Sequence, residues 1–161
     1  KISIILVALV LGGMPNAPAY GQSSPLSGIQ KSVTERMPGW KLTKWRSMNN
    51  DNVVNDKVVF YDWDSDGEKV RSAVELLPSP EEAAELFKSR PGGWALEKSG
   101  VRVLEESFMG IGDERHLIEY EGSGRRGVVF RKGRVIVRVT APSQGVAELF
   151  ATYIADAIPA A

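Results

Sequence analysis

Apolar positions along this chain repeat with two periods, one helical and one alternating, and their succession outlines an α+β domain. The first stripe, Leu26, Ile29, Val33 and Met37, has helical spacing, follows Ser24-Pro25 as N-cap and first turn, and stops at Pro38-Gly39. Residues 40–46 set Trp40, Leu42 and Lys44 against Lys41, Thr43 and Trp45, which predicts a strand running into the polar loop Asn49-Asn50-Asp51-Asn52. Two β-rich runs, 57–63 and 68–76, flank Asp64-Ser65-Asp66-Gly67, the chemistry of a hairpin turn. Alternation puts Val70, Ser72, Val74 and Leu76 on one face of the second run.

The next helix has the clearest start. Ser79 caps, Pro80 takes the first turn, and Glu82 lies three residues on, as a capping box requires. Ala83, Leu86 and Phe87 form its apolar stripe, and Pro91-Gly92-Gly93 ends it. Strands are expected at 101–108 and 115–121 around the turn Gly110-Ile111-Gly112. A last hairpin, 127–131 with 134–140, is expected to turn at Lys132-Gly133, pairing Phe130 with Val135 and Val128 with Val137, all facing the core with Val139. Ser143 then opens a helix whose stripe is Val146, Leu149, Phe150, Tyr153, Ile154, Ala157 and Ile158, and Pro159 closes it.

The two hairpin-to-helix passages resemble each other. Pro78-Ser79 leads to Ala84-Glu85-Leu86-Phe87, and Pro142-Ser143 leads to Ala147-Glu148-Leu149-Phe150. Chance similarity between amphipathic helices is the alternative, since they draw on few residue types. As a duplication, it implies an antiparallel sheet covered by helices, built from two β-β-α pseudo-repeats preceded by an N-terminal helix, with the helices on one face.

The ends add an address. Lys1 precedes an apolar run, 2–11, broken only by Ser3 and too short to span a bilayer of roughly 30 Å. Gly12, Gly13 and Pro15 follow, then Ala17-Pro18-Ala19, the small-x-small pattern of signal cleavage. The expectation is a signal peptide at 1–19, with Lys1 in place of Met marking a trimmed start, and a single domain at 20–161. With 43% apolar and 25% charged residues, composition is that of a globular protein. No cysteine is present, which excludes disulfides, thiolate metal sites, a cysteine nucleophile and lipidation of an N-terminal cysteine. The expected location is therefore periplasmic or secreted, without a transmembrane anchor after cleavage. Lys plus Arg equal Asp plus Glu at 20 each, so no overall field draws the chain to nucleic acid.

Several motifs invite chemistry. Asp62, Asp64 and Asp66 with Gly67 match the first half of a calcium loop, but Val70 and Ala73 stand where the ninth and twelfth positions should supply oxygens, which favours a solvated hairpin turn. Gly122-Ser123-Gly124-Arg125-Arg126-Gly127 fits the dinucleotide pattern G-x-G-x-x-G, yet a strand follows where the phosphate-binding helix should begin. A tight turn is the better reading, and neither cofactor nor metal is expected. His116 is the only histidine, so no two-histidine metal site can form. Asp113 and Glu114 beside it are the remaining candidates for acid and base work. Arg131, Arg134 and Arg138 are expected to share the sheet face opposite Phe130 and Val135, where they would meet an anionic envelope ligand or pair with carboxylates such as Glu119 and Glu121.

Gly110-Ile111-Gly112-Asp113-Glu114, followed by the hairpin 127–137 with Arg131 before its turn, resembles small uncharacterised bacterial exported proteins and lipoproteins. More distantly, it is similar to extracellular sensor domains of bacterial receptor kinases. The resemblance spans about the last third of the chain, lacks the lipidated cysteine of the lipoprotein members, and implies a non-catalytic envelope domain. Three functions follow in order of expectation. The first is a binding or sensor-like module using Arg131, Arg134 and Arg138. The second is a carboxylate-dependent enzyme acting on an envelope polysaccharide or small molecule. The third is a structural accessory subunit.

Overall fold

A computed structural model describes residues 26–48, 58–89, 100–104 and 110–159. The expected export segment 1–19, the Ser24-Pro25 cap, the 49–52 loop, the Pro91-Gly92-Gly93 stop and strand residues 105–108 lie outside them. Ten elements follow in order: α1 (Ser27–Arg36), β1 (Lys41–Met48), β2 (Val58–Ser65), β3 (Glu68–Leu76), α2 (Pro80–Ser89), β4 (Val101–Leu104), β5 (Glu114–Tyr120), β6 (Arg126–Lys132), β7 (Val135–Ala141) and α3 (Gln144–Ala157). The strands make one seven-stranded sheet in the order β1-β2-β3-β7-β6-β5-β4, antiparallel throughout. The α+β class and the helix ahead of the sheet are as the sequence pattern predicts. Among the described residues, no helix is long and apolar enough to cross a membrane.

Two meanders meet at the β3–β7 seam, where Val74 faces Val137 and Ser72 faces Val139. Val70, Ser72 and Val74 do share a buried face, with Val135, Val137 and Val139 beside them. On that face lie α1 and α3, enclosing a core around Trp63, Phe130, Phe150, Ile29 and Ile154. Aromatic edges order its centre: Trp63 and Trp40 each meet Phe150 at 5.2 Å between ring centroids, close enough for edge-on attraction. α1 is tied to α3 by Ser32 Oγ donating to the Tyr153 carbonyl at 2.9 Å and by the Arg36–Asp156 ion pair.

The second helix departs from the expected single-face covering. α2 packs Ala83 and Phe87 against Ile118, Val129 and Ile136, which alternate with the residues facing α1 and α3. It therefore lies on the opposite face. Strand, strand and helix recur in each half, but the helices leave the sheet in opposite directions, because both faces of β5, β6 and β7 are apolar and both need cover.

Three local expectations shift as well. The last hairpin turns at Gly133-Arg134, one residue later than expected, with Lys132 opposite Val135, Phe130 opposite Val137 and Val128 opposite Val139. Gly133 has φ +55° at the first central position, as a type II′ turn demands. Moving a turn by one residue moves each pair by two, so every side chain keeps its face. In β1 the ladder slips between Leu42 and Lys44, which pair with Trp63 and Asp62, so these two residues face opposite sides rather than one. In α3 the buried row is Ala147, Phe150, Ala151, Ile154 and Ala155, while Leu149 is 45% exposed. Alanines four apart let the helix axis approach the sheet closely, and that rotates Leu149 outward.

Candidate functional site

Because α2 covers only the β5–β6–β7 end of its face, the β2–β3–β7 part of that face is left as a cavity of about 840 Å³. Its floor includes side chains set by alternation: Val58 and Phe60 on β2, Ala73 and Glu75 on β3, Ile136 and Arg138 on β7, and Val129 on β6. The far wall is polar. Tyr120 Oη and Thr140 Oγ1 are 2.7 Å apart and hydrogen-bonded across β6, where Gly127 presents no side chain between them. Space there is tight: a Cβ on Gly127 would stand 2.6 Å from the Val139 carbonyl and 2.8 Å from Ile118. Asp62 and Arg71 close the rim through two hydrogen bonds, from Nε at 2.6 Å and from the second guanidinium nitrogen at 3.2 Å. The Asp62 hydrogen bonds hold the Arg71 guanidinium above its usual pKa, against the opposing effect of its burial.

The structure separates the three expected arginines. Arg131 and Arg138 do occupy the face opposite Phe130 and Val135, but their surroundings differ. Arg131, only 13% exposed, is clamped by Asp113 and Glu114 at 3.0 Å each and donates to the Gly133 carbonyl at 2.9 Å. Arg134 is exposed in the turn. Arg138 alone lines the cavity. Its direct neighbours across the sheet are Ala73 and Val129, and among the described residues it makes no hydrogen bond or ion pair. Glu119, a carboxylate expected to neutralise this basic group, instead pairs with Arg126 at 2.9 Å and with Arg102. The hydrogen bond from Arg102 holds the Glu119 carboxyl below its ordinary pKa.

The Gly-Asp-Glu turn proves to be a clasp. Gly112, at φ +64°, lies so close to β6 that a Cβ would be 2.4 Å from the Arg131 carbonyl. Asp113 N donates to that carbonyl at 2.7 Å, and Asp113 Oδ2 accepts from Gly133 N at 2.8 Å. Both carboxylates considered for acid and base work are thus engaged in fastening the β6–β7 turn, and neither lines the cavity. His116 lies flat against Phe87 of α2, with ring centroids 4.9 Å apart, and burial depresses its pKa while Glu114 partly opposes this. Asp62 and Asp64 lie along β2, and Asp66 sits with Gly67 in the tight turn at φ +50° and +85°. Gly122 and Gly124, both at positive φ, make the turn between β5 and β6.

Sequence reasoning passed over Phe60 and Ala73, whereas Arg125 belongs to the basic cluster that the sequence offers around the last hairpin. One signal for the first was present: Val58 and Phe60 are apolar while Val59, Tyr61 and Trp63 are already the core face, so β2 has apolar side chains on both faces. Arg125 reaches from the β5–β6 turn to the Lys69 carbonyl at 2.6 Å, and its Nε is buried with no acceptor among the described residues.

No family model matches the chain, and no curated protein matches it. Among solved structures it is similar to a GTP binding regulator from Thermotoga maritima, with a TM-score of 0.49 and 12% identity over 84% of this chain and 90% of that one. At that level the likeness says nothing about ligand or activity.

Proposed function

We propose that this chain is a non-catalytic ligand-binding or sensor-like domain of the bacterial cell envelope, exported by residues 1–19 and released as a soluble periplasmic or secreted protein. The observation that carries the binding reading is the part of the sheet face that, among the described residues, α2 leaves uncovered. A floor containing Phe60, Ala73, Val129 and Ile136 stands open beside α2 in a cavity of about 840 Å³, within the roughly 300–1,000 Å³ range of small-molecule sites. Asp113 and Glu114 both pair with Arg131 and neither lines the cavity, which favours the binding reading over the carboxylate-enzyme one. The arginine assigned to binding is Arg138, with Arg131 reassigned to the clasp and Arg134 to the turn.

The test is binding of N-phenylnaphthylamine, a neutral apolar fluorophore, to the full chain. Fluorescence enhancement that saturates in the native protein and is lost in Ala73→Trp, or in the milder Ala73→Leu should the first fail to fold, supports the reading. No saturable enhancement, or enhancement unchanged in a folded Ala73 variant, overturns it. Fusing residues 1–19 to a reporter enzyme active only outside the cytoplasm tests the address, and an inactive fusion refutes it.

A further inference from the structure

The cavity carries chemical information beyond its shape. Its largely apolar floor carries, among the described residues, the guanidinium of Arg138, placed between Ala73 and Val129 on the neighbouring strands. Arg138 is half-buried and has no counter-ion among the described residues, although a charge withdrawn from water is stable only when paired. Other arginines of the described sheet show how this fold ordinarily treats them: Arg71 is paired with Asp62, Arg126 with Glu119, and Arg131 with Glu114. Glu75 also lines the cavity, on the strand beside Arg138, where its own partners in the ladders are Val58 and Ile136. A second donor faces the same lack of an acceptor, the buried Nε of Arg125, which belongs to the same lining. Among the described residues that line the cavity, basic side chains outnumber carboxylates.

Resting on the binding reading above, we propose that the cavity takes a small amphipathic oxyanion. Its carboxylate or phosphate head is held by Arg138, with Arg125 as a further donor, and its apolar body lies over Phe60, Ala73 and Ile136. A guanidinium suits both heads because its parallel N–H bonds match either oxyanion in a two-pronged geometry. A neutral ligand of the same shape would leave the charge unpaired, so the site should discriminate by charge as well as by length.

The experiment displaces N-phenylnaphthylamine from the full-length protein with three probes sharing one chain: dodecanoate, dodecyl phosphate and dodecanol, all below their micelle concentrations. The expected result is that at least one of the two anions binds about tenfold or more tighter than dodecanol, as a charged hydrogen bond in a shielded site implies. In Arg138→Gln that advantage should collapse to within about twofold while the fluorophore still binds, and Arg138→Lys should restore part of it. Which anion is preferred tells a carboxylate ligand from a phosphate one. Dodecanol equalling both anions in the native protein, or an undiminished anion advantage in Arg138→Gln, overturns the proposal while leaving the cavity reading intact. Failure of all probes and of the fluorophore overturns both.

Discussion

At the scale of single residues, two kinds of position deserve different treatment from what their type suggests. Gly127 sits in mid-strand, where glycine ordinarily weakens a sheet, yet the Val139 carbonyl and Ile118 fill the space a side chain would need. Gly127→Ala should therefore destabilise by about 1–3 kcal/mol, as overpacking does, read as a lower urea midpoint. His116 is a pH-sensitive position. Burial against Phe87 lowers its pKa in the fold below the unfolded value, so between those two values the unfolded chain binds more protons and stability falls as pH falls. Above the unfolded pKa this contribution is constant. Comparing urea midpoints of the native protein and His116→Phe from pH 7.5 downward should show an extra loss near and below about 6.5 in the native protein alone.

At the scale of elements, α2 is a lightly secured helix, ten residues long with only Ala83 and Phe87 buried. Its start depends on Ser79 Oγ, which accepts from Glu82 N at 3.1 Å. Ser79→Ala should cost about 0.5–2 kcal/mol, and hydrogen exchange in α2 should accelerate more than in α3. The elements themselves were legible because each is a local matter. Ser79 and Ser143 mark helix starts through bonds that span three residues, and the Asp66-Gly67 turn is written in its own two residues. Face was harder. The bulge in β1 and the exposed Leu149 both come from neighbours remote in sequence, Trp63 with Asp62 in one case and the packed sheet in the other. The cavity was least legible, since Ala73, Val129 and Arg138 become neighbours only through the β3–β7 and β6–β7 ladders, and no periodicity in one strand announces its partner. Arg131 and Arg138 looked alike in sequence for the same reason. Only the fold shows that one meets Asp113 and Glu114 and the other meets Ala73 and Val129.

At the scale of the whole molecule, the meanders β1-β2-β3 and β4-β5-β6-β7 join along one seam, and the helices of the first half do not stay with it. α1 rests on α3, while α2 crosses to Val129 and Ile136 of β6 and β7. The first half thus supplies packing surface to both sides of the second, like two fingers holding a page. Pulling the halves apart would bare the apolar faces of α1 and α2 and the side of Phe150 on α3 that meets Trp40 and Trp63, all at once. The expected behaviour is a single cooperative transition in calorimetry, with equal calorimetric and van't Hoff enthalpies; two resolved transitions would show that the halves melt separately. Mechanically the same arrangement predicts brittleness rather than give: under load from its two ends, the molecule should resist as one body and then fail in one event, with no half-open form along the way.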